Sequence, residues 1–154
     1  MKKQIKFSLS FDEAKILHNG ASQERKLELE ELFPELKPIS IRDRVKTYED
    51  ALEVLRRDHF DENNLYPREI ARRKLEIIVE ALNEGWKPNL SNHKEHKWYC
   101  YFIGSYAGLR YSHAYLSPAY AAAHFGVRFC LKSKELADYT GVQFKDLYKE
   151  MLLG

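Results

Sequence analysis

Apolar residues recur at helical spacing through the first half of the chain, and in the second half the period shortens toward two. The clearest helical stretch runs from Pro67 to Glu84, where Ile70, Ala71, Leu75, Ile77, Ile78, Ala81 and Leu82 share one side. Pro67 suits a first helical turn, Gly85 is a natural C-cap, and Pro88 blocks continuation. Earlier, Ser10 with Glu13 and Thr47 with Asp50 have capping-box spacing. They predict a helix ending near Asn19-Gly20 and another with Ala51, Leu52 and Leu55 inward. Between these two, a helix is expected from Ser22 to about Phe33, then one turn capped by Ser40 and Asp43. Residues 4–9 alternate weakly and predict a short edge strand.

Beyond Pro88, residues 98–103, WYCYFI, are apolar or aromatic on both sides, as a strand covered on both faces would be. Gly104 and Gly108 mark a turn. Residues 109–116 alternate, which puts Tyr111, His113 and Tyr115 on one face and Arg110, Ser112 and Ala114 on the other. Residues 117–126 read as a loop. A third strand is predicted over 127–132, with Val127, Phe129 and Leu131 inward and Arg128, Cys130 and Lys132 opposite. Ser133 would cap one long final helix carrying Leu136, Thr140, Phe144, Leu147, Tyr148 and Met151 on one face. Gly141 inside that helix costs about 1 kcal/mol relative to alanine and is tolerable where the helix packs closely on the sheet. The predicted fold is α+β: a helical N-terminal half, a three-stranded antiparallel sheet and a C-terminal helix packed on it. One compact domain over 1–154 is expected, helical over about 10–85, with sheet and terminal helix over about 97–153.

Composition fits that picture, with 44% hydrophobic and 31% charged residues, both normal for a soluble globular chain. The N-terminus lacks the apolar run of a signal peptide, and no window approaches the roughly 20 apolar residues of a membrane span. A cytoplasmic protein without membrane contact is expected. Net charge is +2; residues 1–97 balance at 19 basic and 19 acidic, and residues 98–154 carry six basic and four acidic. A binder living on phosphate contacts usually shows a larger basic excess.

Candidate chemistry is sparse. His93, His96, Cys100 and Cys130 are residue types that zinc prefers, but they lack a paired Cys-x-x-Cys knuckle, and the two histidines sit in a polar loop-like stretch. Cys100 or Cys130 beside His113 or His124 would be the arrangement for a thiol nucleophile, with neither cysteine in a glycine-bounded elbow. Asp58, Asp61 and Glu62 crowd one loop without the apolar setting that raises a carboxyl pKa. The glycines of GSYAG, residues 104–108, are not followed by a phosphate-binding helix. No catalytic residue, metal or cofactor is assigned.

Aromatic residues are the exception to this plainness. From Trp98 to Phe129 there are ten in 32 positions, six of them tyrosines. Such residues edge a core or form a contact face, because each ring is apolar and each hydroxyl needs a partner. The candidate binding residues are Tyr106, Arg110, Tyr111, His113, Tyr115, Tyr120 and Arg128. The same row could stack single-stranded bases, with Arg110, Arg128 and Lys132 taking phosphates.

Three features are shared with a known group of proteins. They are the helix end Gly85-Trp86, the aromatic strand Trp98 to Phe102, and a strand–helix unit with Lys132-Ser133 at its junction and Tyr139 and Gly141 in the helix. Together with RVKTYEDALEVL, residues 44–55, they resemble a family of small uncharacterised proteins of Bacteroides-type bacteria and their phages or prophages. The likeness covers roughly residues 40–153. Leu90 stands where the family often has tryptophan, and Cys100 where it has proline within the strand. The resemblance implies a phage or mobile-element origin and one compact domain, and it carries no activity. The expected function is that of a non-enzymatic phage or prophage accessory protein that meets a protein partner, or itself, through a tyrosine-rich face. The alternatives are a single-stranded nucleic-acid binder using that face and a cysteine/histidine enzyme.

Overall fold

The computed structural model describes residues 9–92, 94–105, 108–117 and 127–154. The chain divides into two compact units, Met1–Ile39 and Ser40–Gly154. In the first, α1 (Phe11–Gly20) and α2 (Gln23–Leu32) start at serine caps. Ser10 and Glu13 form the reciprocal capping box that their spacing predicts. Ala14 and Leu29 are buried, and His18 Nε2 meets Glu30 Oε1 at 2.7 Å. A 3₁₀ turn over Pro34–Leu36 follows.

The second unit holds α3 (Ile41–Arg44), α4 (Tyr48–Leu55), α5 (Pro67–Leu82), the strands β1 (Lys97–Ser105) and β2 (Gly108–Ser117), then α6 (Lys134–Gln143) and α7 (Lys145–Leu153). Thr47 and Asp50 form the second predicted capping box, at the start of α4. Helix α5 buries Ala71, Leu75, Ile78, Val79 and Leu82 as one stripe, which packs against α4 and α7. Burial of Leu75, Ile78, Val79 and Leu82 contributes about 1.5–3 kcal/mol each. Helix α6 covers the inner face of the hairpin. The architecture is therefore α+β, with seven α-helices among the described residues, none long and apolar enough to cross a membrane.

Two expectations are corrected. The sheet has two antiparallel strands, not three. Val127–Phe129 is a 3₁₀ turn and Ser133 already caps α6, so one residue of the expected strand, Leu131, is left to pair. Its N–H and C=O both bond Trp98, at 2.9 and 3.1 Å. The other edge of this segment is closed by buried Asn83, whose amide donates to the Cys130 carbonyl (2.7 Å) and accepts from the Lys132 N–H (3.0 Å). Cys130 is consequently buried, not on an outer face.

The predicted single terminal helix is two, divided at buried Phe144. One straight helix cannot lie on the hairpin and also reach α5, and α6 and α7 divide those tasks. Thr140 assists the break by donating its hydroxyl to the Leu136 carbonyl at 2.6 Å, a bond that bends helices. The expected edge strand at 4–9 falls almost wholly on residues that are not described, as does the loop at 117–126.

Candidate functional site

The hairpin pairs Tyr99 with Tyr115, Cys100 with Ala114 and Tyr101 with His113, but Phe102 with Tyr111. One step along β1 thus matches two along β2, and Ser112 is the extra residue of a β-bulge. Side chains alternate on a strand, so one inserted residue reverses which face the preceding ones point to. Tyr111 turns inward, away from His113 and Tyr115.

Inside, Tyr111 packs edge-on against Phe102 at 5.5 Å and bonds Asp138 Oδ1 at 2.6 Å. The same oxygen accepts the Ala114 N–H at 3.1 Å, and Lys134 holds the other oxygen of Asp138. Burial, then the Asp138 carboxylate, pushes the Tyr111 phenol up. Its ring is half-buried and committed to the core side. The row Tyr111–His113–Tyr115 predicted on one face therefore does not form.

A different row does. On the outer face Tyr101 stacks at 5.0 Å on His113 and lies 6.1 Å from Tyr115, each pair tilted near 40°. Tyr101 is 46% and Tyr115 40% exposed. Ser112 Oγ sits 2.9 Å from His113 Nδ1, so the bulge residue also fixes the imidazole. Arg110, opposite Ile103, is exposed on the same strand. Further along β1, Tyr99 is buried with Cys130 and packed by Trp86 and Phe129, so the outer face is covered there and open from Tyr101 onward.

The sequence reading missed Tyr101, because WYCYFI was expected to be covered on both sides. The available signal was its place across from His113 in the hairpin. Arg128 is separate from this face: its guanidinium meets Glu76 of α5 at 3.0 Å. Tyr106 and Tyr120 lie outside the described residues, as do His93 and His124.

Among the described residues neither thiol is arranged for chemistry with a histidine. Cys100 faces the core, donates to the Ala137 carbonyl at 3.2 Å, and is pushed up to about 12 chiefly by burial. Cys130 lies on the other side of β1, beside Tyr99, and burial pushes it up to about 11. Both are free cysteines, and His96 is exposed, edge-on to Trp98 at 6.3 Å. Among the described residues no group of three histidine, cysteine or carboxylate side chains is placed to hold a metal. The chain matches no known family model, no curated protein and no solved structure.

Proposed function

We propose that the protein works by binding a protein partner through the outer face of its hairpin, with Tyr101, His113 and Tyr115 as the contact and Arg110 beside them. The observation that supports this reading is the contact of Tyr101 with both His113 and Tyr115, three exposed rings on a strand pair whose opposite face is packed. Stacked rings are already ordered, so a partner that covers them gains apolar burial at little cost in side-chain freedom. Tyrosine and arginine are the residue types that concentrate binding energy in interfaces. Arg110 favours a partner with an acidic group at the edge of its apolar surface. The phage or prophage setting rests on the resemblance described above and belongs to the same proposal.

Single-stranded nucleic acid is the weaker reading for this face. Of the three cations expected to take phosphates, Arg128 is paired with Glu76 and Lys132 with Glu84 at 2.7 Å, which leaves Arg110. One unpaired cation of those three, among the described residues, gives little of the counterion release that drives such binding.

The test is affinity capture with the wild-type chain and with the Tyr101→Ser/Tyr115→Ser variant, with circular dichroism as the fold control. A partner held by the wild type and lost by the folded variant is expected. Equal retention by both would overturn the assignment. So would salt-sensitive binding of short single-stranded oligonucleotides that the variant abolishes.

A further inference from the structure

Independently of the hairpin face, a groove of about 710 Å³ runs along α5 and under the turn that follows it. Its apolar wall is Phe60, Ile77, Val79, Trp86 and Pro88. Five cationic side chains line it against two carboxylates. The carboxylates are already engaged. Glu80 holds Arg57 through two bonds of 2.6 and 2.7 Å, and Glu76 holds Arg72 at 2.6 Å and Arg128 at 3.0 Å. Among the described residues the other two cations, Arg73 and Lys87, make no ion pair. Arg73 instead rests its guanidinium 5.7 Å from the centre of the Phe60 ring.

The aromatic wall is held in place. Trp86 follows the left-handed residues Glu84 and Gly85, its N–H bonds the Asn83 carbonyl at 2.9 Å, and its side chain packs against the pair Tyr99 and Cys130. Lys87 and Arg128 both help hold Glu80 below the usual carboxylate range, after the larger effect of Arg57, so the positive field extends through the groove.

A concave site of this size suits a small molecule: ligand sites are largely apolar with a few placed polar groups. The surplus of positive charge selects the sign of those groups on the ligand. We propose that this groove binds a small anion with a planar apolar body, its ring against Trp86 and Phe60 and its charge on Arg73 and Lys87. A nucleoside phosphate and an aromatic carboxylate share that chemistry.

The probe is anilinonaphthalene sulfonate, an aromatic anion whose fluorescence rises on apolar contact, titrated into the full chain at low salt. Saturable binding is expected, weakened at least tenfold in Arg73→Glu/Lys87→Glu and reduced by added salt. Both side chains are exposed, so circular dichroism of the variant is expected to match the wild type. Arg73→Gln/Lys87→Gln is a milder second variant, with an intermediate loss expected. Displacement by adenosine monophosphate but not adenosine assigns the phosphate source, and displacement by indole acetate but not indole assigns the carboxylate. Absence of saturable binding overturns the proposal. Unchanged affinity in the charge-reversed chain, or equal displacement by the charged and uncharged competitors, does so too.

Discussion

The ring of Tyr111 lies directly over Gly141, so that a methyl group built on that glycine would overlap the Cδ2 and Cε2 carbons of the tyrosine. The missing side chain in α6 is the space into which the inward-turned tyrosine of β2 fits. Alanine usually stabilises a helix by about 1 kcal/mol relative to glycine. Here the sign should reverse. Gly141→Ala is expected to lower stability by about 1–3 kcal/mol through overpacking, read by urea unfolding. Tyr111→Ala combined with Gly141→Ala should cost less than the two separate losses added, and strict additivity would show that the two residues do not share the space.

Asp138 joins helix to hairpin by accepting from Tyr111, the Ala114 N–H and Lys134. Burial acts to raise its pKa, but these bonds and the Lys134 charge outweigh it and hold the carboxyl below its ordinary value. A depressed folded-state pKa gives stability that is present above the unfolded value, about 3.9, and lost as pH falls through the folded one. Asp138→Asn should therefore lower the melting temperature at neutral pH and flatten its decline below about pH 4. An acid limb as steep as that of the wild type would show that other carboxylates carry the whole effect.

Lys97 is fully buried, yet its ammonium is satisfied by the Asn92 and Glu95 carbonyls at 3.1 and 3.3 Å and by the Glu95 carboxylate at 3.1 Å. Glu95 also accepts the Asn89 N–H at 2.7 Å, so this pair organises the turn leading into β1. Lys97→Met keeps the apolar stem and removes the charge. It should cost about 3 kcal/mol, because a partner carboxylate and two carbonyls lose their donor. A loss below about 1 kcal/mol in chemical denaturation would mean that water replaces the ammonium without penalty.

Both thiols should be inert in the folded chain. With their pKa values pushed to about 12 and about 11, very little thiolate exists at neutral pH, and Cys130 has no solvent exposure. Ellman's reagent is expected to modify both at least about a hundredfold more slowly in buffer than in denaturant. Fast labelling of one native thiol would revive the cysteine-enzyme alternative.

The helices were legible because their signals are local. Ser10 with Glu13, Thr47 with Asp50, and Pro67 through Gly85 each carry start or stop chemistry within a few residues. The bulge at Ser112 was not legible. Nothing in LRYSHAYL distinguishes a regular strand from one with an extra residue, and the choice depends on Gly141 and Asp138 far along the chain. The same holds for the third strand: VRFCLK alternates properly, but a turn before it and a helix cap after it leave one residue free to pair. Of the candidate site, His113 and Tyr115 were legible as sharing a face, whereas Arg110 was expected on the opposite face and joins them only because the bulge reverses the alternation. Tyr101 was hidden by the apolar company it keeps, and Arg128 by its pairing with a helix 52 residues earlier.

The amide of Asn83 has a further consequence. It supplies one donor and one acceptor at the spacing of a neighbouring strand, so a single side chain does the joining that elsewhere needs a backbone. Such a joint depends on the difference between a nitrogen and an oxygen. Conversion of the amide to a carboxylate, the ordinary chemical ageing of asparagine, would keep the bond from Lys132 and set an oxygen against the carbonyl of Cys130. The seam between the end of α5 and the start of α6 thus rests on the identity of a single atom, and exchanging that nitrogen for an oxygen would turn a bond across it into a repulsion.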